Sequence, residues 1–313
     1  VWHVFASERI AKGRAWQHLE QRLRNPHAPF QIHVSKTQSE LDSFVDEAIR
    51  SGATRFIPAG GDGATQLLVN ALMRHAWETP PIIALLPLGS GCDFARSFGQ
   101  RNHVEQLVGW LEICQLHGNM DSDSKATSAQ LQIQDVDVGI AKGEWGSRYF
   151  VNVASIGITA AIVRRAAGLS WLGAMRYITA FWLVLPTYAR RRFLLRSENE
   201  EFQSSSMLGV VANGRFFGGG FYVAPQAKVD DGLFQLLIAS ASRVQLLSVL
   251  FRLWRGTHLR SSYVRSVQVP DSSVVCDPPT EVEADGEYLG RTPVEFSIKP
   301  KAIRLVYPKE VQR

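Results

Sequence analysis

Short apolar runs alternate with helical patterns from Val1 to Leu86, and few architectures accept that alternation. Val1–Phe5 is strand-like, a Gly/Lys/Arg loop runs through Arg14, and a helix is predicted over Ala15–Arg24. Phe30–Ser35 places Phe30, Ile32 and Val34 on one face, as a strand does. Ser39–Ser51 then places Leu41, Phe44, Val45 and Ile49 on one helical face, with Ser39 as its cap. A third strand at Thr54–Pro58 runs into Gly60-Gly61-Asp62-Gly63. A helix over Ala64–His75 follows, buried through Leu67, Leu68, Ala71 and Leu72, and Ile82–Leu86 is a fourth strand. Such alternation builds an α/β domain with a parallel sheet covered by helices on both faces. Ligands of these sheets bind at the carboxyl ends of the strands.

The pattern changes after a polar stretch, 119–129, that reads as a surface connection between domains. Beyond it Leu131–Ile140, Ser147–Ala154, Ser206–Ala212, Gly232–Ser240, Tyr263–Val269 and Thr280–Ala284 are strand-like, with one helical insertion between Thr159 and Arg192. The second domain is therefore expected to be β-rich and sandwich-like. A chain of 313 residues, 45% hydrophobic and 20% charged, is long for one core and ordinary for two. The expected division is an α/β domain over 1–125 and a β-rich domain over 126–294, with 295–313 available to pack back on the first.

The formal charge of +5 favours an anionic partner without choosing among membrane, nucleotide and nucleic acid. No zinc-finger spacing or aromatic-basic RNA motif is present, so a nucleic-acid partner is not expected. Cys92, Cys114 and Cys276 lie far apart, without metal-ligand spacing or a disulfide framework. Val1–Phe5 lacks the basic flank and cleavage site of a signal peptide, and together these features set a cytoplasmic expectation.

Gly60-Gly61-Asp62-Gly63 sits where a strand ends and a helix begins. Glycines there let a phosphate approach the backbone, and the amides of the helix start meet its charge. A tight strand-to-helix turn with an Asp cap would give the same four letters. A second loop, Pro87-Leu88-Gly89-Ser90-Gly91-Cys92-Asp93-Phe94-Ala95-Arg96, also follows a buried strand and combines flexible backbone with a hydroxyl, a carboxylate and a cation. Two such loops at neighbouring strand ends face one cleft.

These loops, followed in order by Pro225–Leu233 (PQAKVDDGL) and Asp285-Gly286-Glu287, resemble the diacylglycerol kinase-type lipid kinases, relatives of the sphingosine kinases, over nearly the whole chain. The resemblance implies a two-domain lipid kinase that uses ATP and Mg2+ to phosphorylate a lipid hydroxyl such as that of diacylglycerol. It implies that Gly60, Gly61, Asp62, Gly63 and Ala64, with Gly89, Ser90, Gly91 and Asp93, bind the ATP phosphates. The turn containing Ser7, Lys12 and Gly13 would cover them, and Ser35 would contact the nucleotide. Departures fall in the same place. Only Gly13 of the covering turn is kept, Ala64 stands for a Thr, Gln66-Leu67 for Asn-Glu, and Cys92 for an Asn, which together lower the expected ATP affinity.

By the same resemblance Glu287 is the proton acceptor, Asp285 its partner, and Asp62 the third catalytic acid, with magnesium held through water by Asp62 and Asp285. An isolated Asp-Gly-Glu would otherwise read as a hairpin turn of solvated acids. A second, structural magnesium is implied at Lys228, Asp231 and Leu233, through the carbonyls of the first and last and the carboxylate between them. An Asp-Asp-Gly turn opening a strand explains the same residues.

Arg164–Arg192 joins apolar bulk (Trp171, Leu172, Tyr177, Trp182) to basic ends, and Leu246–Arg260 repeats the combination. Arg176 and Pro186 interrupt any spanning segment. A helix covering one face of the sandwich and a helix seated on a peripheral anionic membrane surface both fit. The expected partners are thus ATP, a lipid substrate and that membrane surface, with a homodimer left open, in a protein that is cytoplasmic and peripheral to the membrane. Two other readings stand beside this one. A catalytically degenerate lipid- or nucleotide-binding relative accommodates the departures, and an NAD kinase-like enzyme shares the Gly-Gly-Asp-Gly loop but not PLGSGCDFAR or AKVDDGL.

Overall fold

A computed structural model describes residues 1–25, 30–100, 104–116, 131–173, 175–198 and 201–309, with the side chains of 115 and 116 left aside. The expected connection at 119–129, and the boundary at 125, lie outside the described residues. The chain divides into two compact units, Val1–Val136 with Lys301–Arg313, and Asp137–Pro300.

The first unit contains β1 (Trp2–Ser7), α1 (Glu8–Ala11), α2 (Arg14–Leu23), β2 (Phe30–Ser35), α3 (Gln38–Arg50), β3 (Arg55–Gly60), α4 (Asp62–Leu72), β4 (Ile82–Ala84), β5 (Leu86–Pro87), α5 (Asp93–Arg96) and α6 (Val104–Leu116). The strands lie in the order β2-β1-β3-β4, all parallel, and Arg304–Val306 of the chain's last strand add a further parallel partner to β4. Both faces of β1 are buried. Trp2, Val4 and Ala6 pack with Trp16, Leu19 and Leu23 of α2 and Leu107, Val108 and Leu111 of α6. On the opposite face His3, Phe5, His33 and Phe56 stack ring on ring. Each large apolar side chain removed from water here contributes about 1.5–3 kcal/mol.

Local details depart from the sequence reading for physical reasons. The cap of α3 is Thr37 rather than Ser39, because the Thr37 hydroxyl accepts the Glu40 amide and the Glu40 carboxylate accepts the Lys36 amide. The helix after the Gly-rich loop begins at Asp62, inside the loop, and is buried nearly all round, with Leu67 only half-buried. Part of the expected Gly/Lys/Arg loop is the short helix α1, capped by Ser7.

The second unit is β-rich and sandwich-like. It holds β6 (Leu131–Gly143, from Asp137 on), β7 (Gly146–Phe150), β8 (Val153–Gly157), α7 (Ile158–Ala167), α8 (Met175–Val184), β9 (Arg191–Arg196), β10 (Glu201–Ser206), β11 (Leu208–Ala212), β12 (Phe216–Phe217) and β13 (Phe221–Tyr222). It continues through β14 (Phe234–Ala239), α9 (Arg243–Leu253), β15 (Val264–Val269), β16 (Asp271–Asp277), β17 (Glu281–Ala284), β18 (Glu287–Arg291) and the opening of β19 (Val294–Pro308). One antiparallel sheet runs β15-β14-β11-β8-β17-β18, and another set runs β10-β9-β16-β19. Ile156 and Phe234 from the first meet Phe193, Val274 and Phe296 from the second, with Phe150 of β7 among them, in one core. The run expected as one strand over Ser147–Ala154 is two, β7 and β8, and the break at Val151–Asn152 is where a distant carboxylate takes the backbone amides. The helical insertion holds α7, α8 and a 3-10 turn at Ser170–Leu172. Its expected end at Arg192 already lies in β9.

Candidate functional site

The register of the parallel sheet sets the candidate site of the first unit. Ser7 at the end of β1 lies opposite Ser35 at the end of β2, Ala6 lies opposite Ala59 in β3, and Gly60 lies opposite Pro87 in β5. Ser35, Ser7, Gly60 and Pro87 thus form a row along the carboxyl edge. β1 has β2 on one side and β3 on the other, the place where such sheets bind ligands. The turn from Ser7 to Gly13 and both Gly-rich loops leave from this row. The structure therefore brings Ser7, Lys12, Gly13, Ser35, Gly60–Ala64 and Gly89–Asp93 to one end of the first unit.

The two Gly-rich loops touch backbone to backbone. A Cβ on Gly89 would lie 2.4 Å from the Gly61 Cα and 2.7 Å from its nitrogen, closer than any side chain tolerates. The Leu88 amide donates to the Gly60 carbonyl at 2.9 Å. Gly61 caps α4 without any side-chain hydrogen bond, so the first amides of an eleven-residue helix are not taken up by a capping side chain. A small hollow lined by Gly60, Gly61, Asp62, Thr65 and Cys92 opens there. Amide donors at a helix start beside close-packed glycine backbone fit an anionic phosphate chain. Lys12 pairs with Glu8 at 2.9 Å, and Ser35 is buried at its strand end.

Asp62 has a structural job beside the one its motif suggests. Its Oδ2 accepts the Asp93 amide and its Oδ1 the Phe94 amide, each at 3.0 Å, so it ties the second loop to the first. A carboxylate has about four acceptor positions, so Asp62 keeps capacity for a metal-bound water. Cys92, between the loops, sits at φ +52°, a left-handed conformation that costs an ordinary side chain energy and that Asn tolerates better. Its thiol points at the Gly89 and Gly60 carbonyls. Cys92, Cys114 and Cys276 are buried and form no disulfide.

In the second unit Asp285 and Gly286 occupy left-handed conformations, φ +48° and +82°, in the tight turn between β17 and β18. The Asp285 carboxylate accepts three backbone amides, from Val151 at 2.8 Å, Asn152 at 3.1 Å and Val153 at 3.0 Å. The carboxylate expected to act as catalytic partner or metal-water ligand thus also has a structural role. About three of its four acceptor positions hold the start of β8 against the turn. Glu287 is half-exposed, and its Oε2 receives Arg148 Nη2 at 2.6 Å and Nε at 3.1 Å.

Beneath the turn lies Glu283, with no exposure at all. Its Oε1 accepts the Ser155 hydroxyl at 2.5 Å, Ser155 accepts the Thr159 hydroxyl at 2.6 Å, and its Oε2 accepts the Gly286 amide at 2.9 Å. Burial pushes the Glu283 carboxyl up to about 8, against the pull of the Ser155 and Gly286 hydrogen bonds. The sequence reading passed over both Arg148 and Glu283. Nothing local marks Arg148. Glu283 did carry a signal, since Glu281, Glu283 and Asp285 alternate and so share one face of a strand.

Lys228, Asp231 and Leu233 share a turn in which Gly232 has φ +72°. The Asp231 Oδ1 accepts the Leu233 amide at 3.1 Å. Asp137, fully buried and absent from the sequence reading, accepts the Gly232 amide at 2.7 Å, and its own amide donates to the Val229 carbonyl at 2.6 Å. These are hard oxygen donors of the kind a hydrated divalent cation takes. Among the described residues no group of three or more His, Cys, Asp or Glu lies close enough to hold a metal ion.

Residues 5–121 match the family described as the diacylglycerol kinase catalytic domain, and residues 152–307 match the YegS C-terminal NAD kinase beta sandwich-like domain. The chain is 30% identical over 271 residues to a diacylglycerol kinase of Mycobacterium tuberculosis (strain ATCC 25618 / H37Rv), covering 84% of this chain and 79% of the relative. It is 29% identical over 286 residues to "Probable lipid kinase YegS" of Salmonella gallinarum, covering 90% and 87%. The crystal structure of a diacylglycerol kinase from Bacillus anthracis str. Sterne shares the fold, with a TM-score of 0.66 at 18% identity over 98% of this chain and 96% of that one.

Proposed function

Because the chain belongs to the diacylglycerol kinase family, we propose that it transfers the γ-phosphate of ATP to the hydroxyl of a lipid of the diacylglycerol class. The observation that carries this reading is the edge of the first unit, where the amide-rich start of α4 and two interlocked glycine loops stand beside Ser7 and Ser35. ATP with Mg2+ supplies the phosphoryl group and the neutralising charge. The chain's own residues do the rest. The α4 amides and the backbone at Gly61 and Gly89 hold phosphate oxygens, and Ser7, Lys12 and Gly13 shape the turn over them. Asp62 keeps both loops in register and takes a metal-bound water. Glu287 accepts the proton of the lipid hydroxyl, and Arg148 aims its carboxylate. General-base help of this kind contributes about 10² to 10⁴ in rate. The turn at Lys228, Asp231 and Leu233, with Asp137 below it, would hold a structural magnesium through hard oxygen donors.

A lipid substrate also calls for a lipid-facing surface. The buried sides of α7, α8 and α9 meet in one cluster around Ile158, Leu185 and Leu246. The outer sides of these helices and of the turns that follow α7 and α9 leave Trp171 79% and Phe251 71% exposed, with Ile178, Trp182 and Trp254 exposed as well. Arg164 and Arg165 close α7, and Arg252 lies in the last turn of α9. Among the described residues no helix is long and apolar enough to cross a membrane. We assign this surface to peripheral contact with an anionic bilayer, where each cation contributes about 1 kcal/mol.

The test is transfer of labelled γ-phosphate from ATP with magnesium to diacylglycerol, other hydroxylated lipids and NAD in mixed micelles. Labelling of one lipid class supports the reading. Labelling of NAD alone would replace it with the NAD kinase-like one, and absence of all labelling in a folded sample would leave a binding protein.

A further inference from the structure

The turn that carries Glu287 is not fixed by its own ladder. Val282 lies opposite Gly290, but Glu283 lies opposite Tyr288, so the pairing of β17 with β18 slips by one residue just before the turn. Bulges of this kind bend a strand and re-aim side chains, and they weaken the ladder's hold on the turn. At the slipped position sits a carboxyl with no exposure, on a strand whose neighbouring residues Val282 and Ala284 are apolar.

Burying a carboxyl is costly unless its oxygens are hydrogen-bonded. The charged groups on the elements packed against β17 have other partners. Arg148 of β7 pairs with Glu287, while Arg164 of α7 and Arg291 of β18 pair with Glu281 at 3.3 and 3.7 Å. Asp285, next on the same face, is bound to the backbone of Val151–Val153. Glu283 instead bonds to the Gly286 amide inside the turn and to Ser155 in β8, and Ser155 bonds to Thr159 in the first turn of α7. One side chain thereby links the turn to a sheet strand on one side and a helix on the other.

We propose that Glu283 is a positioning residue for the transfer reaction, fixing the Asp285-Gly286-Glu287 turn through the Gly286 amide and anchoring it to α7 through the Ser155–Thr159 hydroxyl pair, so that Glu287 points in one direction. Glu283 touches no reacting atom in this role. The catalytic part of the inference rests on the kinase reading, and the anchoring part does not.

The experiment compares Glu283→Gln, which keeps the shape, an acceptor and a donor, with Glu283→Leu, which keeps only the bulk. Three quantities are read: hydrogen exchange of the Gly286 amide in the substrate-free protein, kcat with KM for ATP, and the melting temperature. In Glu283→Leu the Gly286 amide is expected to exchange up to about tenfold faster, as one lost hydrogen bond allows. Its kcat should fall about 10²-fold through misdirection of Glu287, with KM for ATP unchanged. Glu283→Gln should restore both. If Glu283→Leu fails to fold, Ser155→Ala removes only one hydroxyl and should move the same two readouts in the same direction. A folded Glu283→Leu protein with wild-type exchange at Gly286 and wild-type kcat overturns the proposal. Loss of Gly286 protection in a protein whose wild type transfers no phosphate upholds the anchor and overturns the kinase reading beneath it.

Discussion

The glycine loops of the first unit and the Asp-Gly-Glu turn of the second each use an aspartate to gather backbone amides, two for Asp62 and three for Asp285. Beyond that they are built in different ways. The loops present little but main chain, held in place because Gly61 and Gly89 touch without side chains between them. The turn presents side chains, with Glu287 aimed by Arg148 and the backbone beneath it gripped by Glu283. Holding a phosphate chain suits fixed amides and glycine. Moving a proton needs one carboxylate in one direction, and that direction depends on Arg148, far away in the sequence, as well as on nearby Glu283.

The contrast can be broken from either end. Asp285→Ala would leave three amides at Val151–Val153 without their acceptor and is expected to lower stability by about 3 kcal/mol or more, since each unsatisfied buried donor costs about 1–3 kcal/mol. Chemical denaturation would show it. An Asp285→Ala protein as stable as wild type would show that these bonds do not hold the turn. Gly89→Ala should come next, because the neighbouring atoms are backbone and cannot rotate away. It should cost about 1–3 kcal/mol and weaken ATP binding in calorimetry. Unchanged affinity would mean that the contact between the loops does not shape the nucleotide site. Cys92→Asn sharpens the comparison with a gain instead of a loss. Asn accepts the left-handed conformation better, so the melting midpoint should rise by an amount worth about 1 kcal/mol.

Much of this was legible in the sequence, and the boundary of legibility follows the same contrast. Alternation that places Phe30, Ile32 and Val34 on one face was enough to find Phe30–Ser35 at its true limits. Glycine clusters at strand ends announce close backbone approach, and all the nucleotide-contact residues expected in the first unit do gather at one sheet edge. The strands β9, β10, β12, β13, β16, β18 and β19 were missed. β10 is a polar edge strand reading EFQSSS, and β19 carries Lys299-Pro300-Lys301 in its middle, which looks like a break. The tasks of Asp285, Arg148 and Glu283 were hidden for a different reason. Apart from the local bond of Glu283 to Gly286, their partners lie on strands distant in the sequence, and no local spacing encodes that.

The most direct measurement is kcat and ATP affinity for Glu287→Gln beside the wild type, with diacylglycerol presented in micelles. Loss of kcat by about 10² to 10⁴, with ATP binding within a few-fold of wild type, is the expected result if the turn supplies the proton acceptor and the loops supply the binding. An unchanged kcat, or a parallel collapse of ATP affinity, would contradict that division of labour.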